Sequence, residues 1–219
     1  MASNNVFDMT RRFRYAKVMK KIALQKKLTL SALFAALICA GCFIQIPLPG
    51  GMPIVIQDMM AMLSGLLLGP VFGGLAVLLF LLLGAIGLPV FTGKAGIHVL
   101  IAGPTSGFLW GYFLAAVVGG TILALYDAAQ KKEIDAAADE SKPKSAGVGQ
   151  WLFITLAALL ATVTAFACGV AGGILIMHIS LTKALPAYVL PFIPGNLIKL
   201  VLMVILTKRI RPTIKAYTE

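Results

Sequence analysis

Residues 54–88 read IVIQDMMAMLSGLLLGPVFGGLAVLLFLLLGAIGL, and Asp58 is the last charged side chain in that stretch. As one helix it would be about 52 Å long at 1.5 Å per residue, whereas the hydrocarbon layer of a membrane is about 30 Å thick. Gly69-Pro70 supplies the break, because proline is tolerated at a helix start and disfavoured inside a helix. The stretch therefore reads as two membrane spans, 54–69 and 70–88.

The rest of the chain extends that reading. Of 219 residues, 59% are hydrophobic and 12% charged, more apolar surface than one soluble core of this length needs. The apolar runs are continuous rather than alternating, which points to helices. Further spans are expected near 28–46, 101–126, 151–178 and 189–208. The fold class is thus an all-α integral membrane protein, a bundle of six transmembrane helices in the cell membrane. The run from Leu28 is too long for a signal-peptide core and leads into further spans, so it reads as a span.

The net charge of +11 is not spread evenly. Arg11, Arg12, Arg14, Lys17, Lys20, Lys21, Lys26 and Lys27 precede the first span, and Lys208, Arg209, Arg211 and Lys215 follow the last. Blocks of this kind beside apolar runs follow the positive-inside pattern and suit contact with anionic lipid. No aromatic-interleaved module presents them to nucleic acid, which is not expected as a partner. Six crossings return the carboxy terminus to the side of the amino terminus, so both termini are expected in the cytoplasm. The expected organisation is a basic segment at 1–27, a transmembrane domain at 28–208 and a basic tail at 209–219. The charged, Ala-rich segment 127–149 reads as a solvated cytoplasmic linker.

Three connections fall outside in this topology, 46–54, 88–107 and 179–196, and they hold eight of the eleven prolines. They retain many apolar residues, so ordered segments over the outer mouth are expected. Polar side chains, costly in a membrane, cluster at the same end. Gln57 and Asp58 begin the second span, Thr105 and Ser106 open the fourth, and Asn196 and Lys199 open the sixth. Asn196 and Lys199, three apart, share a helix face. Gly103-Pro104 and Pro194-Gly195 turn the chain into helix starts that attract an anion, and Lys199 adds a full positive charge. A small solute with a carboxylate and a hydrogen-bonding end suits this set. Asp58 reads equally as a binding group or as a complement to its helix dipole.

Other residues read as structural. Lys94 is expected as a solvated loop charge, His98 and His178 lack a partner pattern, and Asp127 marks the inner end of the fourth helix. Cys39, Cys42 and Cys168 lie in apolar segments, where they read as small packing residues. No metal site or catalytic motif is visible, and Asp58 with His98 is the weak basis for a membrane-embedded hydrolase. The segment GLPVFTGKA departs from a phosphate-binding loop: five residues separate Gly87 from Gly93, and Ala95 follows Lys94. The chain therefore shows no nucleotide-driven engine of its own. A carrier driven by an ion gradient stays open on composition alone. Ala32, Ala36 and Ala40 form a small-residue ridge on the first helix, suited either to internal packing or to a membrane partner.

Segments Ile46–Pro53, Gly65–Pro70, Gly84–Phe91, Gly103–Phe108 and Pro191–Lys199 together resemble the BioY family, the substrate-binding component of energy-coupling-factor biotin transporters. The most specific pieces are GLLLGP, LLLGAIGLPVF, GPTSGF and PFIPGNLIKL. The resemblance implies a six-helix, non-enzymatic protein that captures biotin outside and works with a transmembrane coupling subunit and a pair of ATPases. It needs no cofactor of its own, and the ridge Ala32, Ala36, Ala40 resembles the family's docking motif. Lys199 matches the lysine of the family's PGDxxK motif, while Asn196 replaces its aspartate. An amide keeps its hydrogen bonds and loses the charge, so another small carboxylate vitamin is the alternative ligand. In GPTSGF, Ser106 and Phe108 replace glycine and tyrosine of the common GPTGGY.

Overall fold

The computed structural model describes residues 2–46, 54–136 and 146–218. The main elements are helices α1 (Ala2–Gly41), α2 (Gln57–Ala85), α3 (Ile97–Ala102), α4 (Ser106–Ala136), α5 (Ala146–Met177), α6 (Leu181–Tyr188) and α7 (Ile193–Thr218). A two-residue antiparallel ladder joins β1 (Gln45–Ile46) to β2 (Ile54–Val55). Five stretches among the described residues are long and apolar enough to cross a membrane: Lys17–Gly41, Gln57–Ala85, Ser106–Glu133, Gly149–Met177 and Leu181–Thr218.

The second of these reverses on itself. Gly69 takes φ 81° and ψ 178°, a conformation open to glycine and closed to most residues, and Pro70 follows. The two arms, 57–68 and 70–85, then run back to back. A Cβ placed on Gly73 would lie 2.5 Å from the Gly65 Cα, so the arms cross backbone to backbone. Eight residues along one straight helix would separate those atoms by about 12 Å. The Ser64 hydroxyl donates to the Gly73 carbonyl at 3.1 Å across the crossing. At the other end, Gln57 Nε2 donates to the Val90 carbonyl at 2.8 Å, joining the start of one arm to the exit of the other.

Around this hairpin α2 packs against α1 and α4, and α4 against α5. Small residues permit the approach: a Cβ on Gly172 of α5 would fall 2.6 Å from the Gly107 Cα of α4. The core contains Ile38, Met62, Leu66, Phe80, Leu123, Ile154 and Met203. Leu114, Leu125, Leu152, Leu175, Leu197 and Ile198 project outward, giving the bundle an apolar exterior matched to lipid.

Several boundaries differ from those expected. The first helix ends at Gly41 rather than near 46, because the chain turns there into β1. The expected start of the fourth helix at 101 belongs to the separate short α3, and α4 begins at Ser106 after the Gly103-Pro104 turn. The charged segment 127–149 is helical to Ala136 and again from Ala146, since Ala and Lys favour helix once past the membrane edge. Residues 137–145 lie outside the described residues, as do 47–53 of the first outer connection. The other two connections are ordered, by α3 and by α6 with a 3₁₀ turn at Leu190–Phe192. Helices α1 and α7 run unbroken through residues 27 and 208.

Candidate binding cavity

The starts of α2, α4 and α7 meet at one end of the bundle and enclose a cavity of about 580 Å³. Gln57 and Asp58 of α2, Thr105 in the turn just before α4, and Asn196 and Lys199 of α7 line it, drawn from three regions far apart in sequence. Ser106 does not join them. Its hydroxyl donates to the Gly103 carbonyl at 2.7 Å and closes the turn that starts α4.

Helix α7 explains the placing of Asn196 and Lys199. Leu197 and Ile198 are 62% and 64% exposed, so the face between them and lipid is settled and Asn196 and Lys199, 7% and 6% exposed, turn inward. Lys199 is held from three sides. Its Nζ donates to both Asp58 carboxylate oxygens at 2.8 Å and to the Val55 carbonyl at 2.6 Å. A lone ammonium in this greasy surrounding would be costly; opposite Asp58 the pair is neutral. Asp58 thereby acquires a role that its helix position alone left undecided. Lys199 is accordingly not the free cation that its sequence suggested. Asn196 Nδ2 donates to the Phe192 carbonyl at 2.9 Å, and Gln57 Nε2 is committed to Val90, leaving their amide oxygens as acceptors.

Lys94 corrects the expectation of a merely solvated charge. It is exposed, yet it lines the cavity mouth, because the chain from 86 to 96 folds back over α2. The Phe91 N–H donates to the Lys94 carbonyl at 2.9 Å, the Gly96 N–H to the Gly84 carbonyl at 2.8 Å, and the Phe91 ring meets Phe80 edge to face. Gly84 leaves the space that the Phe91 ring fills.

The remaining wall is aromatic. Phe108, Phe166 and Phe192 form a triangle with centroids 6.0 to 6.4 Å apart, and Tyr112 and Met62 continue it. Phe166 and Phe192 escaped sequence reading because an inward phenylalanine on an apolar helix looks the same as a lipid-facing one. Phe108, which takes the place of a tyrosine in the GPTSGF segment, faces the cavity with a purely apolar ring. His98 and His178 are exposed and stand off the lining, so the Asp58 and His98 pairing that a hydrolase would require is not formed. Cys39, Cys42 and Cys168 are free thiols, Cys42 buried in the core and Cys168 against Gly111.

On the opposite side of α1, Ala32, Ala36 and Ala40 are exposed, whereas Ser31, Ala35 and Ile38 face the bundle. The ridge is therefore not spent on internal packing. Asp127 is not the end of α4; it lies two turns earlier and pairs with Arg211 at 2.9 Å and with Lys215.

The BioY family model matches residues 10–216. A biotin transporter BioY of Rhodobacter capsulatus is 37% identical over 187 residues, covering 81% of this chain and 89% of that protein. A biotin transporter BioY of Thermotoga maritima is 35% identical over 187 residues, covering 85% and 96%. Among solved structures, the S-component for biotin from an ECF-type ABC transporter superposes with a TM-score of 0.68 at 28% identity, covering 89% of this chain and 96% of that one. With the match spanning nearly its whole length, this multi-pass membrane protein belongs to the BioY family.

Proposed function

We infer that the chain is the biotin-binding component of an uptake system, capturing biotin in the cavity and releasing it inward with energy from partner subunits. The observation that carries this reading is the division of the cavity into a polar end and an aromatic wall. Biotin has the same division: a ureido ring rich in donors and acceptors, an apolar sulfur ring and methylene chain, and a terminal carboxylate. A cavity of about 580 Å³ falls within the range of roughly 300–1,000 Å³ usual for small-ligand sites.

Asn196, Gln57, Thr105 and the Asp58–Lys199 pair serve the ureido group, where neutral but strongly polar partners are wanted. Phe108, Phe166 and Phe192 hold the sulfur ring and chain. Lys94, a cation at the mouth, is placed for the carboxylate. Counting the two arms of α2 separately gives six crossings, which put both termini in the cytoplasm and the cavity outside. The contact of Lys26 Nζ with the Tyr217 carbonyl at 2.7 Å supports the termini sharing a side. The exposed ridge Ala32, Ala36, Ala40 is the face for a transmembrane coupling subunit, which in turn carries the ATPases.

Titration of the detergent-purified chain with labelled biotin tests the reading. Saturable one-to-one binding, displaced by desthiobiotin and left in place by unrelated carboxylate vitamins, is the expected result. Absence of biotin binding, with saturable binding of another vitamin, would move the assignment to that ligand and trace the change to Asn196.

A further inference from the structure

At the end of the bundle remote from the cavity lies a second hollow, of about 330 Å³, between the α2 hairpin bend and the last turns of α7. Lys27, Arg211 and Lys215 line it, and among the described residues Asp127 is the carboxylate that faces them. Three cations thus share one anion. Asp127 accepts from Arg211 Nη1 and Nη2 at 3.3 and 2.9 Å and pairs with Lys215, which leaves the site with surplus positive charge.

Two further features point to a ligand. Arg211 is 7% exposed, and its Nε–H is buried with no acceptor among the described residues. That N–H is sealed beneath the surface; what the hollow offers an oxyanion is the charge of Arg211 and Lys215, which share the single Asp127 carboxylate. The second arm of α2 begins at Pro70 on the same hollow, so the positive end of that 16-residue helix segment faces it as well. Val71, 69% exposed, forms an apolar lip beside these charges.

We propose that this hollow binds the phosphate group of an anionic phospholipid, with the acyl chains passing over Val71 along the exterior of the bundle. Inorganic phosphate offers the same oxyanion, but only a lipid uses the apolar lip. The site is independent of the biotin cavity and does not rest on the identity of the transported ligand.

The test uses the full chain in nanodiscs of phosphatidylcholine alone or with part of it replaced by phosphatidylglycerol. Phosphatidylglycerol is expected to raise Tm by about 4 °C or more, the size of shift that near-saturating binding gives a chain of this length. Lys27→Gln with Lys215→Gln should lose at least half of that shift and leave biotin affinity unchanged. Lys20→Gln with Lys21→Gln, which removes equal charge from the exposed side of α1, should keep it. Equal Tm in both bilayers, or equal loss in the two double variants, would overturn the site. Inorganic phosphate reproducing the full shift in phosphatidylcholine discs, with no gain from phosphatidylglycerol, would overturn the lipid assignment in favour of a soluble anion.

Discussion

Lys199 is tolerated inside a membrane bundle because Asp58 meets it at 2.8 Å and the Val55 carbonyl accepts a third hydrogen bond. The pair fixes the start of α2 against the start of α7 and sets the polarity of the cavity without giving it net charge. In the proposed binding mode, Lys94, exposed at the mouth, is the cation placed for the ligand carboxylate. A solvated rim pair of this kind is worth about 0.5–1 kcal/mol, so Lys94→Gln should weaken biotin binding by about twofold to fivefold. The effect should shrink as ionic strength rises, and a titration at low and high salt checks it. Asn196 and Lys199 were legible as one face from their spacing. The pairing of Asp58 with Lys199 was not, since 141 residues separate them and no local rule joins positions so distant.

At the scale of elements, the hairpin in α2 was readable from length and from Gly69-Pro70 alone, because a largely apolar stretch of 35 residues exceeds what the membrane can hold as one helix. What could not be read was how closely the arms meet: Gly65 and Gly73 look like any small residues until the bend brings their backbones together. Charge change predicted the end of α4 and the start of α5 poorly, as helix propensity carries both past the membrane edge. The alanine ridge on α1 needed the structure to settle which way it faces. Since Ala32, Ala36 and Ala40 point outward, Ala36→Trp should leave biotin affinity within about twofold while abolishing co-purification of the coupling subunit. Undiminished co-purification would reject this face as the docking surface.

For the molecule as a whole, α7 links the two ends. Asn196 and Lys199 at one end, and Thr207 and Arg211 toward the other, all turn inward along one stripe. Both polar sites therefore depend on one helix that is apolar on its outer face. Ligand capture depends on the first of the two: side chains from separate helices must form one ligand cavity beneath the ordered segments α3 and α6. Isothermal titration of biotin into the wild type and Lys199→Ala tests this most directly. Loss of a buried, charge-assisted group on the order of 1.5–3 kcal/mol predicts affinity about tenfold lower or worse. The double variant Asp58→Asn with Lys199→Met, which leaves no unpaired charge behind, should show a comparable loss in a folded protein. Wild-type affinity in both variants would contradict the account.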